Sequence, residues 1–178
     1  SSIATSLQAG TYTATATDQN NCPTSISVIV SQPAVLTSTI TSVSHPVCFN
    51  ALGNASVLVS GGTAPFSYTW TSTPVQTGST LQNVPAGTYT VSITDAKGCT
   101  AQNIVTLIQP AQVVTTAGIN DTICAGQMGT VSVSASGGSG GYYYAWQPGG
   151  AINAGTLNAN PPGSTQYTVV AYDQNGCG

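Results

Sequence analysis

Between Ala55 and Thr94 the chain keeps alternating apolar and polar residues with a period of two. Ala55, Val57 and Val59 fall on one face of "ASVLVS", with Ser56 and Ser60 on the other. "FSYTW" puts Phe66, Tyr68 and Trp70 on one face, and "TYTVSIT" does the same with Tyr89, Val91 and Ile93. Such alternation predicts half-buried antiparallel strands. Val35–Val43 predicts a strand before these, and "TAQNIVTLI" after Cys99 predicts one behind them. Gly61-Gly62 with the following "TAP", and "DAKG" from Asp95, read as turns. Residues 71–87 read as looser chain, and no stretch carries a helical period.

The pattern repeats. "GTYTATATDQNNC" (Gly10–Cys22), "GTYTVSITDAKGC" (Gly87–Cys99) and "TQYTVVAYDQNGC" (Thr165–Cys177) are versions of one phrase. Tyr12, Tyr89 and Tyr167 mark it, as do Gln32-Pro33 and Gln109-Pro110, Gly61-Gly62 and Gly137-Gly138, and Trp70 and Trp146. The period is about 77 residues, the size of a small β-sandwich rather than of a solenoid repeat. The expected fold is all-β, with tandem immunoglobulin-like or PKD-like β-sandwich domains. The expected division is 1–33 as the C-terminal part of one repeat, 34–110 as a complete repeat, and 111–178 as a repeat lacking its last strand. On that reading the sequence is a window on a longer chain.

Charge narrows the function. Charged residues are 3% of the chain: four Asp, one Lys, no Glu and no Arg. A chain with one lysine cannot neutralise a phosphate backbone, so nucleic acid is not an expected partner. Paired-carboxylate catalysis needs two acids in one site, and equivalent aspartates of successive repeats do not converge. No enzyme activity, catalytic residue, metal set or cofactor is expected. Asp18, Asp95 and Asp173 share one repeat position, ahead of a turn, where an aspartate accepts backbone N–H bonds. Calcium at the same place would want six to eight oxygens, and the second copy has Lys97 where the others have Asn20 and Asn175. His45 reads as a loop residue. Trp70 and Trp146 read as interior by parity. Tyr143 has outward parity and is the best candidate for a ligand-contacting aromatic.

Cysteines supply the expected staple. Cys48 and Cys99 fall in one unit and Cys124 and Cys177 in the next, and pairing within units is favoured, with Cys22 paired outside the window. Each such bond would close a loop of about 50 residues, worth roughly 4 kcal/mol in the chain-entropy account. The rival is Cys22–Cys48 and Cys99–Cys124. An immunoglobulin-like topology lends the rival weight, because it puts the two cysteines of a unit at opposite ends. The rival also needs the chain to double back at Gln-Pro-Ala, which reads as a linker. Either scheme implies an oxidising, extracytoplasmic setting.

"VLVSGGTAPFSYTW" followed by "LQNVPAGTYTVSITDAKGCT" resembles the SprB-type repeat of Bacteroidota surface adhesins, over all of the second unit and much of the others. The third unit departs from it at "GGSGGYYYAW" and "GSTQYTV". The resemblance implies a very long, secreted, cell-surface protein, exported by type IX secretion in many members and linked to gliding motility and adhesion in some. It makes a stalk segment the expected function. The alternatives are a module that binds surface polysaccharide or other cells, and a filament subunit that self-associates by strand pairing. The secretion machinery is a further implied partner. Asp121-Thr122-Ile123 resembles the short site at which Bacteroidota attach O-glycans, which makes Thr122 a candidate attachment residue.

Overall fold

The computed structural model describes residues 3–118, 120–124, 126–152 and 154–178. Strands β1 (Gly10–Thr17) and β2 (Pro23–Val30) form an antiparallel hairpin. Six strands follow: β3 (Thr37–Ser44), β4 (Gly53–Ser60), β5 (Ser67–Trp70), β6 (Thr80–Val84), β7 (Gly87–Thr94) and β8 (Thr100–Leu107). They make two antiparallel three-stranded sheets, in the orders β3-β4-β6 and β5-β7-β8. Lettered A, B, C, E, F and G in chain order, the sheets are A-B-E and C-F-G, the strand partition of a constant-type immunoglobulin sandwich without strand D.

A second sandwich uses β9 (Val114–Ala117), β10 (Gly129–Ser136), β11 (Tyr143–Gln147), β12 (Gly150–Ile152), β13 (Thr156–Ala159) and β14 (Thr168–Tyr172). Its sheets run β13-β10-β9 and β12-β11-β14, so β9, β10, β11, β13 and β14 correspond to A, B, C, E and F. The fold is all-β, in tandem sandwiches, and no helix occurs among the described residues.

The alternation that predicts the strands also builds the core. Ala55, Val57, Trp70, Val91 and Ile93 are buried, while Ser67 and Thr69 between the inward residues of β5 stay exposed. Leu36, Leu81, Val84, Val105 and Leu107 complete the first core, with Phe66, Tyr68 and Tyr89 packed against it. The second core repeats the plan around Tyr144, Trp146 and Ala171. Both tryptophans satisfy the indole N–H that burial would otherwise strand: Trp70 donates to Gly78 O at 3.0 Å and Trp146 to Ala154 O at 3.3 Å.

Tyr89 opens strand F and donates its hydroxyl proton to Pro85 O at 2.8 Å, the tyrosine corner of such sandwiches. Tyr12 makes the same bond to Gln8 O at 2.9 Å in the first hairpin. One expectation needs correcting. The segment 71–87 contains strand β6, whose buried residues Leu81 and Val84 lie three apart rather than two. Asn83, at φ 51°, takes up the extra residue, and the β4–β6 register shifts between Gly53 and Ala55.

Candidate functional site

The repeated phrase folds into the same turn three times. Asp18 Oδ1 accepts the N–H groups of Asn20 and Cys22 at 2.8 and 2.9 Å. Asp95 Oδ1 takes those of Lys97 and Cys99, both at 2.8 Å. Asp173 Oδ1 takes those of Asn175 and Cys177 at 2.9 and 3.0 Å. The backbone follows suit, with the aspartate N–H donating to the cysteine carbonyl at 3.2, 2.9 and 2.9 Å. The aspartates are therefore turn clasps that hold a cysteine just beyond strand F, or its equivalent, in each copy.

In the two sandwiches the second carboxylate oxygen reaches across to the B–C loop. Thr63 donates to Asp95 Oδ2 at 2.9 Å, and Ser139 to Asp173 Oδ2 at 2.8 Å. The same loop seats the incoming chain: Gly62 N–H donates to Ala34 O and Gly138 N–H to Ala111 O, both at 2.8 Å. Gly61 and Gly137 have φ of 71° and 82°, and a Cβ on either would run into the carbonyl oxygen of Val35 or Gln112. Burial pulls the Asp95 carboxyl upward, but the N–H donors of Cys99, Thr63 and Lys97 outweigh it and hold its pKa below the usual value. The Ser139 N–H leads in holding Asp173 low, against burial, with Cys177 and Asn175 adding to it.

The other class of cysteine lies at the opposite end of the sandwich, in the A–B loop. Ala51 N–H donates to Cys48 O at 3.1 Å, closing a turn in which Asn50 has φ 59°. Asn50 N–H donates in turn to Gln109 Oε1 at 2.9 Å, and Ile108 N–H to His45 Nδ1 at 3.2 Å. This loop thus clamps the chain that leaves strand G. The His45 side chain accepts a backbone N–H here, and the roles of Asn50 and Gln109 were not read from the sequence. The return of Gln32-Pro33 as Gln109-Pro110 was the one available signal for Gln109.

Cys48 is bonded to Cys177, with Cα atoms 5.5 Å apart and a sequence separation of 129. This corrects the expected pairing within units. Cys48 and Cys99 sit at opposite ends of strands about 26 Å long, far beyond the roughly 7 Å of Cα separation that a disulfide spans. The rival pairs Cys22–Cys48 and Cys99–Cys124 are not formed either, and Cys22, Cys99 and Cys124 are exposed thiols. The bond instead joins the A–B end of one sandwich to the F–G end of the next. Ala111, Gln112 and Phe49 line a small cleft beside it.

The remaining candidates lie elsewhere. Thr122 is exposed and borders a cleft in the second sandwich with Pro161 and Pro162. Tyr143 points outward and stacks on Tyr172 of the neighbouring strand, with centroids 5.1 Å apart and planes at 17°. Among the described residues no three His, Cys, Asp or Glu side chains come together to hold a metal, and no helix is long and apolar enough to cross a membrane.

No curated protein matches this chain. Among solved structures it is similar to the three N-terminal domains of the bacteriophage RB49 Highly Immunogenic Outer Capsid protein (Hoc), over 80% of this chain and 56% of that one, at 13% identity and a TM-score of 0.45. The SprB repeat model matches residues 37–74 and 116–151, which start in strand A of each sandwich and run beyond strand C. The two matched stretches fall on equivalent strands, so both sandwiches of this chain are similar to the SprB repeat.

Proposed function

We propose that this chain is a structural stalk segment of a large secreted adhesin, spacing a binding region away from the cell surface. SprB repeats are cell-surface adhesin-type repeats, which supports an extracellular location. Export by the type IX route and a link to gliding are carried over from that resemblance. The observation that carries the stalk reading is the Cys48–Cys177 bond. It fastens the A–B end of one sandwich to the F–G end of the next, so the two stack end to end. A nearly uncharged Ser/Thr-rich surface, with 3% charged residues in the chain, suits a spacer without a fixed partner. Small-angle scattering of the oxidised chain is the test. An elongated profile that becomes more flexible on reduction is expected; a compact profile indifferent to reduction would rule the stalk out.

The stacked Tyr143–Tyr172 pair favours a second reading, contact with a sugar ring of a surface polysaccharide. Glycan-array binding by the chain, abolished by Tyr143→Ala, is its expected signature. An array without binding removes it. Filament formation by strand pairing would show as a concentration-dependent polymer.

A further inference from the structure

We propose that the Cys48–Cys177 bond is one rung of a repeating series, in which the A–B cysteine of each repeat bonds the F–G cysteine of the repeat that follows it. Cys124 is then the A–B half of a further rung, and Cys99 and Cys22 are F–G halves. The occupant of each open half is another repeat of this kind. This deepens the stalk reading and rests on it only for its purpose, since the cysteine geometry stands by itself.

Two independent equivalences support the assignment. Cys124 lies 76 positions after Cys48 and is held in the same turn: Gln127 N–H donates to Cys124 O at 3.1 Å, as Ala51 N–H does to Cys48 O. Gly126 has φ 81° where Asn50 has 59°. Cys99 sits in the same aspartate clasp as the bonded Cys177, and the Gly98 and Gly176 that precede them have φ 82° and 78°. So each thiol is presented in the backbone setting from which its counterpart already forms a bond. Within this chain the rule leaves nothing for Cys124 except an F–G cysteine of a repeat placed after it.

The oxidation needs an acceptor, here a small-molecule disulfide. One cysteine thiolate attacks a sulfur of the oxidant and releases one thiol. The second cysteine thiolate then attacks the mixed disulfide and releases the other. The two cysteine protons end on the two released thiols, and the oxidant's sulfur–sulfur bond is the one reduced.

The test oxidises two chains with oxidised glutathione and maps disulfide peptides by mass spectrometry after alkylating free thiols. The first is the present chain, kept dilute; Cys48–Cys177 forms and Cys124 alkylates. The second is residues 1–178 followed by a second copy of 101–178 that carries Cys124→Ser, which keeps the repeat period through the join and leaves a single Cys124 to follow. There the Cys48–Cys177 peptide reports correct folding. Alkylation of Cys124 is lost, and a peptide joining Cys124 to the second copy's Cys177 appears, because tethering supplies a high effective concentration. Concentrating the first chain gives the between-molecule version, Cys124 with Cys22 or Cys99, which separates a second copy from a repeat in the same chain. A Cys124–Cys177 bond within one repeat, a Cys48–Cys99 bond, or a Cys124 that still alkylates in the longer chain would each overturn the series. The stalk reading would survive any of these if the scattering profile stayed elongated.

Discussion

Asp173 accepts the backbone N–H of Ser139 at 2.8 Å, tying the turn between strands F and G to the loop between B and C. Asp95 does the same for Thr63 in the preceding sandwich. Both carboxyls are held below their ordinary pKa in the folded chain. A group lowered in this way contributes stability that is fully present above the unfolded-state value, about 3.9, and is lost as pH falls through the folded value. Urea midpoints should therefore drop as the pH falls below about 4. The double variant Asp95→Asn, Asp173→Asn should start lower at pH 7 and show a shallower acid drop. Asp18 and Asp121 are common to both proteins, so the difference between the two acid drops reports Asp95 and Asp173. An unchanged acid drop in the double variant would show that these clasps are not its source.

Trp70 is fully buried and has its indole N–H bonded to Gly78 O. Trp70→Ala should cost the first sandwich about 3–5 kcal/mol, enough to unfold a marginal domain. Trp70→Phe keeps much of the packing but strands the Gly78 carbonyl, at about 1–3 kcal/mol. Tryptophan emission from the remaining Trp146 follows the second sandwich in both variants and should barely move.

Tyr89→Phe removes one hydrogen bond, to Pro85 O, and leaves the ring in place. A loss of about 1 kcal/mol is expected, read as a lower urea midpoint with an unchanged slope. A changed slope would mean that the E–F corner shapes more of the sandwich than its own bond.

At Gly61 a methyl group meets the Val35 carbonyl, and the backbone has φ 71°. Gly61→Ala should cost at least about 2 kcal/mol, combining left-handed strain with a displaced strand A. Amide exchange should rise first at Leu36 and Thr37. Gly98→Ala, where the added methyl meets open space, should cost only the left-handed term, about 1 kcal/mol.

Much of this fold was legible because core and surface alternate cleanly. Trp70, Val91 and Ile93 announce their inward face through their neighbours Thr69, Thr90 and Ser92. Strand β6 was hidden because Asn83 breaks the period between Leu81 and Val84. The aspartate clasps were legible from the turn chemistry of one residue type. The cysteine pairing was not, because the 77-residue period gives the position of Cys48 within its repeat but not which end of a neighbouring repeat abuts it. The strand partition answers that: it sends the A–B loop and the F–G turn to opposite ends, so cysteines in these two places meet only between successive repeats.

Under tension the Cys48–Cys177 bond reroutes the load. A pull on the two ends enters the first sandwich, crosses the disulfide and leaves at Cys177, bypassing a sequence separation of 129. At roughly 3.4 Å per extended residue, about 440 Å of slack stays locked however far the enclosed strands give way. Single-molecule stretching should therefore release that length only after a reductant is added. Without one, shear at the surface would load a short covalent path, and the enclosed sandwiches could refold once it passed.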